Sequence, residues 1–220
     1  MKRMLPMPPR PDARLVAEFA QTSTAHLSDS MERLYSAGPD LRPMHRGGTL
    51  AGPAFTVKTA AGDNLLVHKA LDMAEPGDVI VVDAGGFRDQ AVVGEIMAGW
   101  AARRGIAGLV IWGAIRDSAE IRDGAFPVFA SGVTHRGPYK DGPGEINVPI
   151  ALAGMPVHPG DIVVGDADGV VAVPLAAAEA VLASARRIRD KEARVLKDIE
   201  RGALDRAWVD EALRRNGYAV

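Results

Sequence analysis

The chain has 220 residues, 47% hydrophobic and 25% charged, a composition that excludes disorder as the main state and leaves an ordinary globular domain. Lys and Arg number 26 against 28 Asp and Glu, a formal charge of −2, which is no footprint for wrapping nucleic acid, so any anion must be small and locally recognised. With no cysteine, disulfides, thiolate metal sites and cysteine nucleophiles are excluded as well.

Lys2 and Arg3 open the chain, but no apolar run of secretory length follows and prolines at 6, 8 and 9 interrupt it, so the segment reads as a flexible arm. Nowhere do about 18 uncharged apolar residues run together, and neither a membrane span nor any site but the cytoplasm is expected. A weak helical pattern covers Asp12–Phe19, and Ser28-Asp29-Ser30 offers caps for a short helix through Tyr35. Strand residues among glycines occupy 47–57, and Asp63 or Asn64 then caps a helix carrying Leu65, Leu66, Lys69, Ala70 and Leu71.

The middle of the chain reads most clearly. After the turn Pro76-Gly77-Asp78, Val79–Asp83 is a fully apolar strand, residues 91–104 are helical, and Leu109–Trp112 is a second buried strand. Together they predict a βαβ unit with a parallel pair and a right-handed crossover. A short helix near Ser118–Asp123, a strand at Pro127–Ala130, and a glycine- and proline-rich loop over 132–144 follow. The turn Pro159-Gly160-Asp161, strands at Ile162–Val164 and Val170–Val173 joined at Asp168-Gly169, and one long Ala- and Arg-rich helix over 176–199 complete the chain. The fold class is α/β, with an N-terminal arm and short helix over 1–27, a catalytic domain over 28–175 and a C-terminal helical extension over 176–220.

Five histidines show no i, i+4 pairing and read as structural or solvent-facing. Asp83-Ala84-Gly85-Gly86 lacks the spacing of a dinucleotide turn. Two spots carry chemistry. Gly94-Glu95-Ile96-Met97 lies in the first turns of the predicted helix, where free N–H groups and the helix dipole favour a carboxylate or phosphate. Arg116-Asp117 lies just beyond the end of the following strand, the edge where parallel sheets bind ligands. The two therefore share one edge and can share one pocket. Arg116 supplies a donor fork for a carboxylate or enolate oxygen, Asp117 a hard oxygen ligand, and Glu95 and Glu120 two further carboxylates; such a set suits Mg²⁺ retaining waters.

Glu95, twenty residues, Arg116-Asp117, two residues and Glu120 resembles the signature of the regulator-of-ribonuclease-activity-A-like family, which includes class II 4-hydroxy-4-methyl-2-oxoglutarate aldolases. Gly62-Asp63-Asn64, Pro76-Gly77-Asp78, Gly113–Asp117, Pro127–Ala130 and Pro159-Gly160-Asp161 through Asp168-Gly169-Val170 agree with it. The resemblance implies a compact α/β/β sandwich with a central barrel-like sheet, assembled as a homotrimer or dimer of trimers. It implies a lyase releasing pyruvate from 4-hydroxy-2-oxo acids, with oxaloacetate decarboxylase activity. Substrate would be held by the amides of Gly94–Met97 and by Arg116, and Mg²⁺, Mn²⁺ or another divalent metal by Asp117. Arg116, Glu95 and Glu120 are then the catalytic candidates, and Glu192 is the candidate for a glutamate reaching a neighbouring subunit's site. No nucleic-acid or membrane partner is expected. The alternative within the same family is a non-catalytic inhibitor of a ribonuclease, a kind that typically lacks the aspartate at 117.

Overall fold

β-Branched residues dominate the strands at the centre of the computed structural model, which describes residues 2–220. In chain order the elements are α1 (Ala13–Phe19), α2 (Thr24–Ser30), β1 (Arg42–Pro43), β2 (Leu50–Thr59), α3 (Leu65–Met73), β3 (Val79–Asp83), β4 (Ala91–Val93) and α4 (Glu95–Arg103). They continue with β5 (Gly108–Ile115), α5 (Ser118–Asp123), β6 (Val128–Val133), β7 (Gly144–Ile146), β8 (Ile150–Leu152), β9 (Met155–Val157), β10 (Ile162–Asp166), β11 (Gly169–Val173), α6 (Ala178–Glu200) and α7 (Ala207–Arg215). The main sheet runs β1-β6-β5-β3-β2-β10-β11. Its four middle strands, β6, β5, β3 and β2, are mutually parallel, in registers such as Ile80 with Leu109 and Phe55 with Ile80.

β2 bends between two partners. Leu50–Pro53 pairs antiparallel with β10, whereas Ala54–Lys58 pairs parallel with β3. The segment before β1 draws the ends of the sheet together: Ala37 N–H donates to Val170 O at 3.0 Å and Ala172 N–H to Tyr35 O at 3.2 Å, while β1 itself pairs with β6. The result is a nearly closed barrel. Alternation sorts its strands: Val79, Val81, Val110 and Phe129 fill the interior, capped by the β8–β9 hairpin. Ile80, Val82, Leu109 and Ile111 face outward under α3, α4 and α5. α1, α2 and the first half of α6 bury Phe19, Leu27, Val181 and Leu182 against the outer face of β10 and β11.

Several expectations need correction. The helix expected from residue 91 starts only at Glu95, because Ala91-Val92-Val93 are buried and β4 pairs with β5, Ala91 with Ala114 and Val93 with Ile115. Tertiary pairing overrides the continuous helical pattern, and Gly94 becomes the N-cap. The short helix expected from Ser28 lies instead over Thr24–Ser30, capped by Ser23, and Glu32 and Arg33 take left-handed backbone conformations after it. The N-terminal arm is tied down rather than flexible. Leu5 N–H donates to Ile146 O and Ile146 N–H to Arg3 O, and Arg10 forms a two-pronged bond to the fully buried Asp78 carboxylate at 2.7 and 2.8 Å. Among the described residues no helix is long and apolar enough to cross a membrane.

Candidate active site

The crossover from β3 through α4 to β5 brings three predicted features to one edge of the sheet. Strand β5 ends at Ile115, and Arg116 N–H donates to Val93 O at 3.0 Å, which places Arg116 and Asp117 beside the start of α4. Asp117 takes a left-handed backbone conformation (φ 54°) at the head of α5, a geometry sparsely populated for a residue with a side chain. It turns the carboxylate back toward α4, where Oδ2 accepts from Glu95 N–H at 3.1 Å.

Gly94 permits this approach. A Cβ there would lie 2.5 Å from Asp117 Oδ2, closer than real contacts come, and 3.1 Å from Arg116 Cγ, so any side chain there would push the Asp117 carboxylate aside. Ile96 and Met97 follow in the first turn of α4, where N–H groups lack intrahelical acceptors and the dipole favours negative charge. Arg116 Nε stands 3.6 Å from Asp117 Oδ2, and both side chains remain partly open to solvent. The Asp117 Oδ1 atom accepts no hydrogen bond from the chain among the described residues.

These groups line a cleft of about 320 Å³, together with Asn64, His68, Gly137, Pro138 and Lys140. That volume suits a small organic acid. A cluster of three or more acidic or histidine side chains able to hold a metal by themselves is absent among the described residues. One exposed hard oxygen with free lone pairs fits a cation that keeps waters and takes further ligands from a bound acid.

A family model described as RraA-like, Aldolase/RraA, matches residues 24–172. The chain belongs to the RraA-like family. A relative from Halalkalibacterium halodurans, provisionally named as a 4-hydroxy-4-methyl-2-oxoglutarate aldolase, is 43% identical over 180 residues, covering 81% of this chain and 86% of that one. A Thermus thermophilus protein named 4-hydroxy-4-methyl-2-oxoglutarate aldolase is 35% identical over 158 residues, 70% of this chain and 93% of its own. Among solved structures, an uncharacterized protein from Pseudomonas syringae superposes with a TM-score of 0.79 at 29% identity, covering 89% of this chain and 96% of that one. The RNA-processing inhibitor RraA from Thermus has a TM-score of 0.64 at 32% identity, over 69% and 92% of the two chains. The barrel-like α/β fold expected from the sequence is thus the RraA fold.

Within this RraA-like chain the remaining predicted residues divide. Gly94, Ile96, Met97, Arg116 and Asp117 meet in the cleft. Glu95 contributes its backbone there, while its residue also lines an adjoining cleft with Glu120, Gly99 and Phe126. Glu192 lies on α6, where its Oε2 is 2.7 Å from His26 Nε2 of the same chain.

Sequence reasoning missed Asn64, His68 and Lys140. Asn64 does not cap α3 through its side chain; Nδ2 instead donates to Val92 O at 3.1 Å, fixing β4 beside the cleft. Asp63 accepts from Leu65, Asp141 and Gly142 N–H groups, so it pins the loop that bears Lys140 against the start of α3. The signal was available: α3 begins at the same sheet edge as α4, and Asn64 and His68 stand four residues apart on it. His68 titrates below its ordinary range, first because burial disfavours the charged ring and second because Lys140 repels it, with Asp72 opposing.

Proposed function

We propose that this RraA-like protein is a divalent-metal-dependent lyase that cleaves 4-hydroxy-2-oxo acids of the 4-hydroxy-4-methyl-2-oxoglutarate type to pyruvate, and that it also decarboxylates oxaloacetate. The observation that carries the reading is the meeting of Arg116, Asp117 and the α4 start in one cleft. The names of the aldolase relatives support it.

Asp117 is the residue that would hold Mg²⁺ or Mn²⁺, whose bound ion supplies Lewis acidity toward the 2-keto group. The Ile96 and Met97 amides receive the 1-carboxylate at the helix start. Arg116 donates to the 2-keto oxygen and meets the negative charge that grows there as the C3–C4 bond breaks. The bonding pair moves into the pyruvyl half to give the pyruvate enolate, the 4-hydroxyl loses its proton as the second fragment's carbonyl forms, and C3 then takes a proton. Glu95, with Glu120 beyond it in the adjoining cleft, is assigned the proton transfers through an intervening water. When the leaving fragment is CO₂, the same electron sink serves oxaloacetate.

The test is pyruvate release from 4-hydroxy-4-methyl-2-oxoglutarate and from oxaloacetate, with Mg²⁺ and with EDTA. Turnover of both that EDTA abolishes is expected; no metal-dependent turnover of either overturns the reading. Arg116→Ala is expected to lower kcat about 10²–10³-fold, the cost of one donor to a developing oxyanion. The similarity to a solved RNA-processing inhibitor supports a second reading, a ribonuclease-binding protein. Co-purification with such an enzyme and no lyase activity would favour it.

A further inference from the structure

We propose that the cavity between the N-terminal arm and the first turns of α3 is a binding site for a small amphipathic anion, a free acyl carboxylate of about six to eight carbons. The site stands apart from the cleft at Arg116 and Asp117 and does not depend on the chemistry assigned there.

The cavity encloses about 390 Å³, a size that takes a small organic ligand. The start of α3 and the loop after Gly137 separate it from the cleft. Asn64, His68 and Lys140 line the cleft side, whereas Leu65, Leu66, Lys69 and Asp141 line this one, and no residue lines both. The third wall is the arm, tied beside β7 by Leu5 N–H to Ile146 O at 3.1 Å and Ile146 N–H to Arg3 O at 2.9 Å. The loop wall is pinned as well, since the Asp141 and Gly142 N–H groups donate to Asp63 Oδ2 at 2.6 and 2.9 Å. At Gly144 a Cβ would lie 2.6 Å from Lys58 O and 2.9 Å from Leu66 Cγ, so loop and helix close on each other there by direct packing. The site is therefore formed before any ligand arrives.

Its lining selects the ligand. Met4, Leu65, Leu66 and Pro143 make the walls apolar, and Met4 and Leu65 are 59% and 43% exposed, large side chains that a hydrocarbon tail would cover. The Asp141 and Gly142 amides are already spent on Asp63, which leaves few directional groups for a sugar or a nucleotide. Lys2 and Lys69 are exposed at the rim, and neither forms an ion pair among the described residues. Arg3 is engaged by Glu145 at 2.6 Å, and Asp141 is the acidic side chain of the lining. Two free ammonium groups against one carboxylate leave the rim positive. An acyl carboxylate answers both demands, with its tail against the walls and its head between Lys2 and Lys69.

The experiment is calorimetric titration of the full chain with butyrate, hexanoate and octanoate, each below its micellar concentration, and with octylamine. Affinity is expected to rise about twofold to fourfold per methylene, the worth of burying one, with one octanoate bound per chain. Octylamine is expected to bind about tenfold more weakly than octanoate, because the rim repels its charge. Leu65→Asn is expected to weaken octanoate about 3- to 10-fold, and Lys2→Met combined with Lys69→Met about 3- to 20-fold, with thermal melting retained in both. Arg116→Ala is expected to leave octanoate binding within about twofold. No octanoate binding, affinity indifferent to chain length, octylamine binding as tightly as octanoate, or unchanged binding in both cavity variants overturns the site. Loss of octanoate binding in Arg116→Ala overturns it too, by placing the carboxylate in the cleft.

Discussion

At Gly94 the chain passes so close to Asp117 that the smallest side chain collides with the carboxylate. Its φ of −140° is open to any residue, so the requirement is space and not backbone freedom. Gly94→Ala is therefore expected to displace Asp117 and lower kcat/KM for pyruvate release at least 100-fold, with a fall in Tm of only a few degrees; equal loss of activity and fold would point to a structural role. His68 makes a different prediction. Its folded pKa lies below the unfolded value of about 6.5, so the folded chain takes up this proton later than the unfolded one. The stability associated with the neutral ring is complete above about pH 6.5 and is lost as pH falls from there through the folded value. An NMR titration should place the imidazole midpoint below 6.5, and Lys140→Met should raise it without restoring it fully, because burial is the larger cause. An unshifted midpoint in the wild-type protein would contradict this. Arg116 and Asp117 were legible in the sequence because they sit adjacent at a strand end. Asn64 and His68, four residues apart at the start of α3, carried a signal that went unread, whereas Lys140 did not, because its place depends on a loop pinned by Asp63, a long-range contact that spacing does not encode.

The crossover strands β3 and β5 were readable as continuous β-branched runs, and α4 as a helix, but not where α4 begins. Residues 91–93 fit a helical period as well as a short strand, and only pairing with β5 decides. That decision matters chemically, since it puts the free amides of Ile96 and Met97, rather than those of a turn earlier, at the cleft. The N-terminal arm was misjudged for a similar reason: its prolines forbid helix, yet they do not forbid an extended segment hydrogen-bonded to β7. Its firmest tie is Arg10 to Asp78, a carboxylate with no exposed surface. Removing the guanidinium leaves that buried charge, among the described residues, with only the Glu75 N–H to satisfy it. Arg10→Ala is expected to cost about 2–3 kcal/mol, a fall in Tm of roughly 5–10 °C for a chain of this size, with kcat unchanged. A Tm within 1–2 °C of wild type would show the arm to be loosely held.

At the scale of the molecule, the α/β class followed from alternating apolar strands and helices, whereas the barrel came only with the family resemblance and not from the pattern of residues. Closure depends on residues 35–37 bonding to β11 before β1 joins β6, and β1 is only two residues long. The surface leaves Ile96 and Trp100 of α4, Leu196 and Ile199 of α6 and Trp208 of α7 exposed, and large apolar side chains grouped on helix faces are the kind of surface that associates. We propose that copies of the chain cover these faces, and light scattering is expected to return the mass of three or six chains; a monomer at micromolar concentration would contradict it. The central claim, that Arg116, Asp117 and the α4 start together stabilise a pyruvate enolate, is tested most directly by NMR of pyruvate in deuterated buffer with Mg²⁺. The account predicts that the wild-type protein exchanges the methyl protons for deuterium, that EDTA stops the exchange, and that Arg116→Ala slows it at least 100-fold. A folded wild-type protein that binds pyruvate yet exchanges its methyl no faster than buffer would contradict the account.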